Sequence, residues 1–398
     1  MARNILVLTY WSFDDPLIGI YTLPYLRIIR DILPEDSRIH LLTLERDGES
    51  EQENGIEKGI FHFSFALHPF GANALFSWMK NIRKLRRFIR TNKIDTIHTW
   101  CTPAGGIGWR LSKKTGIPLV LDSFEPHADP MVETGTWKKN GIAFRVLSFL
   151  EKKQVNHAKW VIGVVPGVKK YAQEKYGYSG NNFFAKPACI DTQRFNVTER
   201  KNPELLRSLG LENKIVCVCA GKFGGLYLEE EASGFFRQAF EKWRDDFRLL
   251  LLTSAPRETV EKITGAAGIP AGNVVSLFVP NEKMPAYLGL ADFAFSHYKP
   301  VPSRKYCTPI KDGEFWGVGL PVVIPAGISE DSDIIAQNNA GYVLRSFSGE
   351  EFRNAVERID ELIRKDSDGA MAKRIHELTV KHRNFTAATD IYRKIYSA

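Results

Sequence analysis

Lys311 and Glu314 lie three residues apart in the segment 306–323, which has the sequence YCTPIKDGEFWGVGLPVV. This spacing places both side chains on one face of a helix. An ammonium group in the first helical turn is unfavourable for the helix dipole, so Lys311 indicates that an anion binds at that end. The Glu314 carboxylate, about one turn further along, could hydrogen-bond a neutral polyol such as a ribose. An ordinary i, i+3 surface ion pair is the alternative.

A short helix must position this pair. Pro309 fits the first turn of a helix, where its missing N–H group has no cost. Gly317 and Gly319 then end the helix before Pro321, which cannot continue it. The pattern predicts a helix of about two turns, followed by a buried strand.

The segment AGKFGGLYLEEEA follows an apolar run that predicts a strand. Gly221 and Gly224 leave the backbone open around Lys222, so amide groups and the ammonium could contact phosphate oxygens. The pattern is neither GxGxxG nor a Walker loop, and a solvent-facing turn is the alternative. The glutamates 229–231 suit the first turn of a following helix, but they would repel a nearby diphosphate.

In the first half, the sequence DSFEPHADP concentrates polar groups after another predicted strand. It contains Asp122, Glu125, His127 and Asp129 within eight residues. We interpret it as a loop that lines a cleft, and a polar loop with helix caps is the alternative.

The Asp-x-Asp pattern of Asp331 and Asp333 resembles a known metal-binding motif. Here it follows Gly327 and precedes IIAQNN, which favours helix capping. No cluster has metal-ligand spacing, so we expect no metal site and no cofactor.

Short apolar runs alternate with amphipathic segments along the whole chain, a rhythm typical of βα units on parallel sheets. The rhythm restarts at Lys214, after a polar stretch with two prolines. We predict two doubly wound Rossmann-like α/β domains facing across a cleft, residues 1–190 and 204–375, joined by a linker, 191–203. Helices in 376–398 could pack back on the N-terminal domain.

The chain has 398 residues, of which 44% are hydrophobic, enough for two packed cores. Its five cysteines form no CxxC pair, which indicates a reducing, cytoplasmic location. The N-terminal apolar run is too short for a signal peptide, and no apolar segment is long enough to span a membrane. The formal charge of +8 is compatible with nucleic acid, anionic membranes or phosphorylated substrates.

Residues 78–93, WMKNIRKLRRFIRTNK, carry seven basic side chains and no acid. Trp78, Ile82, Leu85 and Ile89 form a helical stripe, which favours a core-packed helix with a solvated basic face. The alternative is a patch that holds the protein at the inner face of an anionic membrane.

The second half resembles the donor-binding domain of family 4 (group 1) glycosyltransferases, which have the GT-B fold. The similarity lies in NVVSLFVPNEKMPAYLGLADFAFSHY and in TPIKDGEFWGVGLPVVIPAGISEDSDII. In the first half, AKPACIDTQRF resembles the junction between the two domains of that family, and Gly19 stands in the loop after the first strand.

This resemblance implies roles at the donor site. Glu314 falls on the second glutamate of the family's E-x7-E motif, which holds the ribose, and Tyr306 replaces the first, so the usual contact with the donor sugar is missing. Lys222 falls on the basic residue that binds the diphosphate. The lysine expected a few residues later is absent, and Lys311 of a Pro-x-Lys pattern is the candidate for the second positive charge.

His127 or Glu125 resembles the family's histidine near the donor sugar. The resemblance implies transfer of a sugar from a nucleotide diphosphate donor to a hydroxyl of a glycan or lipid-linked acceptor, with retention of configuration. The alternatives are a nucleotide-sugar epimerase of the same fold and a non-catalytic sugar-binding scaffold. We expect no nucleic-acid partner, because the basic helix lacks an accompanying recognition motif.

Overall fold

A computed structural model describes residues 2–45, 50–66, 72–366 and 368–397, with the side chains of residues 51 and 72–80 outside that description. The chain divides into two compact units. The first comprises Met1–Asp129, Trp137–Pro187 and Thr386–Ala398, and the second comprises Pro130–Thr136 and Ala188–Phe385. The C-terminal segment of the chain therefore belongs to the same unit as its N-terminus.

The described residues of the first unit form one eight-stranded sheet. Its strands are β1 (Asn4–Leu8), β2 (Arg38–Glu45), β3 (Ser50–Glu57), β4 (Ile60–Ala66), β5 (Thr96–Trp100), β6 (Leu119–Phe124), β7 (Trp160–Gly163) and β8 (Phe183–Ala185). They are ordered β3-β4-β2-β1-β5-β6-β7-β8, and only β3 is antiparallel to its neighbour. β1 and β5 are buried on both faces, as parallel strands covered by helices must be.

The helices between these strands are α1 (Leu23–Ile32), α2 (Ala72–Thr91), α3 (Cys101–Thr115), α4 (Ala128–Glu133), α5 (Ile142–Val155) and α6 (Gly167–Tyr176), and a π-helical turn (Ile18–Thr22) leads into α1. Most of α4 belongs to the second unit. The described residues show no helix long and apolar enough to cross a membrane.

The second unit has a six-stranded sheet in the part of the chain that the structure describes. Its strands are β9 (Ile215–Ala220), β10 (Phe247–Leu252), β11 (Val274–Leu277), β12 (Phe293–Phe295), β13 (Val322–Pro325) and β14 (Gly341–Leu344). They are all parallel and ordered β11-β10-β9-β12-β13-β14. Because the order reverses between β9 and β12, the carboxyl ends of these two strands flank the crevice in which doubly wound sheets bind ligands.

The helices that follow the junction are α7 (Pro203–Ser208), α8 (Glu230–Trp243), α9 (Arg257–Ala267), α10 (Met284–Leu288), α11 (Ile310–Gly317), α12 (Asp331–Gln337), α13 (Gly349–Lys365), α14 (Ala370–His382) and α15 (Thr386–Tyr396). All but α15 lie in the second unit. The predicted pair of doubly wound α/β sheets is confirmed.

The basic segment 78–93 forms the C-terminal part of α2. Ile82, Leu85 and Ile89 are buried, as the core-packed interpretation predicts, while the Trp78 side chain lies outside the described residues. The basic side chains on the other face include the exposed Arg83, Arg87 and Arg90.

Asp122 is fully buried within β6, so its assignment to a cleft-lining loop was wrong. Its carboxylate lies 3.2 Å from Lys186 Nζ and accepts hydrogen bonds from His98 Nε2 at 3.1 Å and from the Tyr392 hydroxyl at 2.7 Å. Burial alone would raise the pKa of Asp122, but the Lys186 charge and these donors lower it below its usual range. Tyr392 belongs to α15, so this buried carboxylate attaches the C-terminal helix to the first unit.

We expect Asp122→Asn to lower the free energy of unfolding by about 3–5 kcal/mol, because it leaves the buried Lys186 without its counter-charge. Tyr392→Phe removes only one neutral donor and should lower it by about 1 kcal/mol. Urea unfolding of the two variants and the wild type measures both losses. Equal, small losses would mean that Asp122 does not hold this core together.

Candidate active site

α11 begins after Pro309 and ends before Gly319, which has a positive φ of 75°. A Cβ atom on Gly319 would come within 2.6 Å of the Ala372 carbonyl oxygen, so this turn requires glycine for both conformation and space. The predicted two-turn helix is therefore present. Its N-terminal end lies at the carboxyl edge of the second sheet, because α11 connects the parallel strands β12 and β13.

Lys311 and Glu314 form an ion pair, with 2.8 Å between Nζ and Oε2. It is not an ordinary surface pair, since the Glu314 side chain is only 2% exposed. A buried carboxylate with a cation on one oxygen is pre-positioned to accept hydrogen bonds from a ligand hydroxyl.

Arg383, at the C-terminal end of α14, holds the starts of α11 and α12 in place. Its guanidinium is buried and forms an ion pair with Asp331, with Nη2 2.5 Å from Oδ2, and it donates a hydrogen bond to the Thr308 hydroxyl. Asp331 is thus an ion-pair partner in the first turn of α12, and its side chain makes no cap, contrary to the capping prediction. Asp333 is exposed, and the described residues contain no group of side chains that could hold a metal ion.

The glycine-rich loop follows β9 as predicted, with φ of 126° at Gly221 and 76° at Gly224. The Lys222 side chain is exposed and makes no ion pair with the carboxylates of the described residues. Its carbonyl oxygen accepts a hydrogen bond of 2.7 Å from His297 Nε2. The loop therefore presents a solvent-exposed ammonium group on a backbone that a hydrogen bond from His297 holds in place.

His297 was missed by sequence reasoning. It follows β12, is buried, and contacts Cys219 Sγ through Nδ1 at 3.2 Å. Burial lowers the pKa of His297 to about 4, so the ring is neutral at physiological pH and its single N–H group points to the Lys222 carbonyl. The sequence signal was a polar residue at the end of the run DFAFSHY, at a topological switch point.

The glutamates 229–231 stand at the start of α8, as predicted. Glu229 Oε1 lies 2.7 Å from Lys262 Nζ, so the charge of the glutamate nearest the glycine loop is paired. This ion pair weakens the repulsion of a diphosphate that the sequence predicted.

Arg304 is a second residue that sequence reasoning missed. It lies in a 3-10 turn (Pro302–Tyr306) before α11 and is 8% exposed. Its Nε and Nη2 atoms are buried and have no hydrogen-bond partner among the described residues. The guanidinium carbon lies 5.7 Å from the centre of the Tyr298 ring, in the loop after β12. A buried cation without a counter-ion is costly, and such a group is typical of a site that receives an anion.

Tyr306 ends the same turn and is partly exposed. Its ring centre lies 4.9 Å from Lys305 Nζ. The position that the family resemblance assigns to a glutamate therefore carries an aromatic ring beside two cations, Arg304 and Lys305.

In the first unit, His127 Nδ1 lies 2.9 Å from the Glu125 carbonyl oxygen and 3.1 Å from the Thr102 hydroxyl. The carbonyl can only accept, so Nδ1 carries the proton and Nε2 is left with a lone pair. Nε2 makes no hydrogen bond to the residues that the structure describes. The ring is therefore held in the tautomer that can accept a proton or a hydrogen bond from a ligand.

The backbone beside His127 is fixed by Glu151, which is fully buried on α5. Its Oε1 accepts hydrogen bonds from the amides of His127, at 2.8 Å, and Ala128, at 3.0 Å. A carboxylate of α5 thus accepts the backbone N–H groups at the end of this loop. Asp129 pairs with Lys175 at 2.5 Å and is structural.

Gly19 lies within the π-helical turn Ile18–Thr22 and not in an open loop. A Cβ atom there would meet nothing within 4 Å, so the fold itself does not require glycine at this position. Gly19, Glu125 and His127 lie in the first unit, and the other predicted site residues lie in the second unit, in the segments that follow β9 and β12.

Comparison with known proteins places this geometry in context. Residues 28–194 match the family model described as Glycosyltransferase Family 4. No curated protein matches the chain. Sucrose-phosphate synthase from Thermosynechococcus elongatus is similar in structure, with a TM-score of 0.75 at 14% identity, covering 99% of this chain and 100% of that one.

Two other solved structures are also similar. HepE from Anabaena, in complex with UDP-glucose, has a TM-score of 0.70 at 14% identity, covering 99% of this chain and 100% of that one. WaaG, a glycosyltransferase involved in lipopolysaccharide biosynthesis, has a TM-score of 0.69 at 14% identity and covers 100% of both chains. The chain therefore has the predicted GT-B fold, and the resemblance to family 4 glycosyltransferases, and with it the predicted class of enzyme, is confirmed by the match over residues 28–194.

Proposed function

We propose that the protein transfers a sugar from a nucleotide diphosphate donor to a hydroxyl of a glycan or lipid-linked acceptor in cell-surface glycan assembly, with retention of configuration and without a metal. The observation that carries this proposal is the set of groups at the carboxyl edge of the second sheet. It combines a buried carboxylate, Glu314, with three cations, Lys222, Lys311 and Arg304. HepE, which is similar in structure, was crystallised with UDP-glucose.

In this proposal the positive charge comes from side chains. Lys222, whose side chain is exposed, and Lys311, held beside Glu314, stabilise the negative charge that develops on the leaving diphosphate. Pre-positioned positive charges lower the reaction barrier most when they lie where negative charge develops in the transition state. The bond from the sugar's anomeric carbon to the diphosphate oxygen breaks, and the acceptor oxygen bonds to that carbon. The acceptor's proton passes to the departing diphosphate oxygen.

We assign acceptor binding to the first unit. His127 Nε2, which makes no hydrogen bond to the described residues, is the group that we assign to accept a hydrogen bond from a sugar hydroxyl. Glu125 lies in the same loop, and Gly19 remains a predicted binding residue of the first unit. An epimerase of the same fold, or a non-catalytic scaffold in which Tyr306 has removed the donor-sugar contact, is distinguished by assaying transfer after nucleotide binding has been established.

The first test is a thermal shift with UDP, GDP, ADP and CMP. A ligand at 100 times its dissociation constant stabilises a protein by about 2.7 kcal/mol, which is easily detected. The proposal requires stabilisation by at least one nucleoside diphosphate and transfer from the corresponding nucleotide sugar. Absence of any nucleotide-dependent shift would contradict the donor site.

We expect Glu314→Gln to weaken binding of the nucleoside diphosphate about 10- to 100-fold, because a charge-assisted hydrogen bond to the ribose contributes about 1.5–3 kcal/mol. Isothermal titration calorimetry measures the loss. Glu350→Gln, an exposed glutamate in the same unit, is the matched control and should bind normally. Unchanged affinity of Glu314→Gln would remove Glu314 from the donor site.

Lys222→Ala should weaken binding of the nucleoside diphosphate about tenfold or more and leave the nucleoside almost unaffected, because the ammonium faces phosphate alone. Lys283→Ala removes another exposed lysine of the second unit and controls for net charge. Paired titrations with nucleoside and nucleoside diphosphate decide the matter. Equal losses for the two ligands would show that Lys222 does not contact phosphate.

Arg304→Met should weaken diphosphate binding about tenfold or more while the ligand-free protein becomes equally or more stable, because an unpaired buried cation is replaced by an apolar chain. Arg383→Met is the matched control. It breaks a buried ion pair, so the free energy of unfolding should fall by about 3–5 kcal/mol. Urea unfolding and calorimetry give both quantities. A destabilised Arg304→Met with unchanged affinity would make Arg304 a structural residue.

A further inference from the structure

The N-terminal half of α5 exposes an apolar stripe to solvent. Ile142 is 84% exposed, Val146 44% and Phe149 51%, and their spacing places them on one face of the helix. The opposite face is anchored in the first unit by Glu151, Gln154 and Val155, which are fully buried. Large apolar side chains exposed together in this way are typical of an interaction surface.

Basic side chains surround this stripe. The exposed cations on α5 and in the loop before it are Lys138, Lys139, Arg145, Lys152 and Lys153. The only acid in residues 137–155 is Glu151, which is buried. Lys153 Nζ lies 5.3 Å from the centre of the Phe149 ring, and that ring packs edge-to-face against Trp109 with 6.1 Å between centres. The surface is therefore apolar at its centre and cationic at its rim.

We propose that α5 and residues 137–141 before it dock on an anionic lipid bilayer. The apolar stripe enters the boundary between headgroups and acyl chains, and the long basic side chains reach back to the lipid phosphates. Charge complementarity selects this partner, since a uniformly basic rim matches an anionic surface and aliphatic side chains at the centre match acyl chains. Phosphate groups alone would leave Ile142 and Val146 without a partner.

The position of α5 relates the docking surface to the loop that carries Glu125 and His127. α5 follows β6, so its N-terminal end lies at the carboxyl edge of the first sheet, on the side of the loop that carries Glu125 and His127. A docked bilayer would present a lipid-linked acceptor at this edge. This step rests on the proposed function, whereas the docking itself does not.

The basic face of α2, considered from the sequence as the membrane patch, differs in two respects. The described part of its apolar stripe, Ile82, Leu85 and Ile89, is buried, and its cationic depression, lined by arginines 83, 86, 87 and 90, lies near the helix's C-terminal end and therefore at the opposite edge of the sheet. Within the described side chains of this helix, residues 81–91, no large apolar group is exposed, and attraction by charge alone is weak and strongly screened by salt.

Co-sedimentation of the full chain with vesicles tests the proposal. Vesicles of phosphatidylcholine with phosphatidylglycerol are compared with phosphatidylcholine alone. The wild type should bind the anionic vesicles about tenfold or more tightly than the neutral ones. Ile142→Ser with Phe149→Ser should reduce that binding at least about tenfold, and since both side chains are exposed the fold should persist, which circular dichroism checks.

Two further variants separate the surfaces. Arg145→Gln, Lys152→Gln and Lys153→Gln together should abolish the preference for anionic vesicles, whereas Arg83→Gln, Arg87→Gln and Arg90→Gln on α2 should change it less than about twofold. The proposal is overturned if wild type ignores anionic vesicles at low salt, if the serine variant binds them normally, or if the α2 variant loses more than the α5 variant.

Sedimentation equilibrium without vesicles examines the other occupant of an apolar surface, a second copy of the chain. A wild-type dimer that the serine variant dissociates, together with no vesicle binding, would also overturn the proposal. Nucleotide affinity of the serine variant should equal that of wild type. A protein that binds vesicles but no nucleotide would sink the proposed function and leave the docking surface intact.

Discussion

The buried guanidinium of Arg383 holds the start of α11 in place. It joins three elements, because it pairs with Asp331 at the start of α12, donates to Thr308 just before α11, and lies 5.8 Å from the Trp316 ring centre within α11. Its carbonyl oxygen also accepts the Ile190 amide at 2.6 Å, immediately after the junction between the units. Removing this cation would leave Asp331 buried and unpaired, and the start of α11, which carries Lys311, would lose its support.

Among the described residues of the second unit, two buried guanidinium groups differ in whether they have a counter-ion. Arg383 is paired with a carboxylate, whereas Arg304 has two buried N–H-bearing atoms without a partner among the described residues. Fully paired buried charge contributes to a defined structure, while an unpaired buried charge lowers stability until an anion arrives. Under the proposed function, folding stability and donor binding place opposite demands on Arg304, as is common for residues in functional sites.

Local signals were enough to predict the elements that carry the site. Pro309 marks the start of α11, and Gly319 and Pro321 mark its end, to within a few residues. The alternation of apolar runs with amphipathic segments predicts the two sheets of mainly parallel strands. The contacts of Asp122 could not be predicted, because its partners Lys186 and Tyr392 are far away in the sequence and a lone aspartate is typical of a loop. Arg304 was missed because only its burial distinguishes it from other polar residues, and His297 was missed because its position at the end of a strand is a weak signal without its burial.

The same limit applies to the apolar side chains of α5. In the sequence, Ile142, Val146 and Phe149 resemble core residues, and only their exposure identifies a surface. Conversely, the donor motif was easy to see because its residues are concentrated in one short segment, whereas the family match falls on residues 28–194, where the similarity is spread thinly over strands and helices. A short motif thus indicates which groups could do chemistry, whereas the family match depends on many weakly similar positions.

Electrostatics at the carboxyl edge of the second sheet are compatible with the diphosphate site that we propose there. Glu229 is paired with Lys262 and Glu314 with Lys311, so these two carboxylates bring little net negative charge to the edge. Lys222 is exposed and Arg304 has no counter-ion among the described residues, and these two cations dominate the field that a ligand meets. Because His297 is neutral and holds the Lys222 carbonyl, the glycine loop keeps its shape without adding a charge of its own. Under the proposed function, a diphosphate at this edge completes the charge pairing that the described residues leave unfinished.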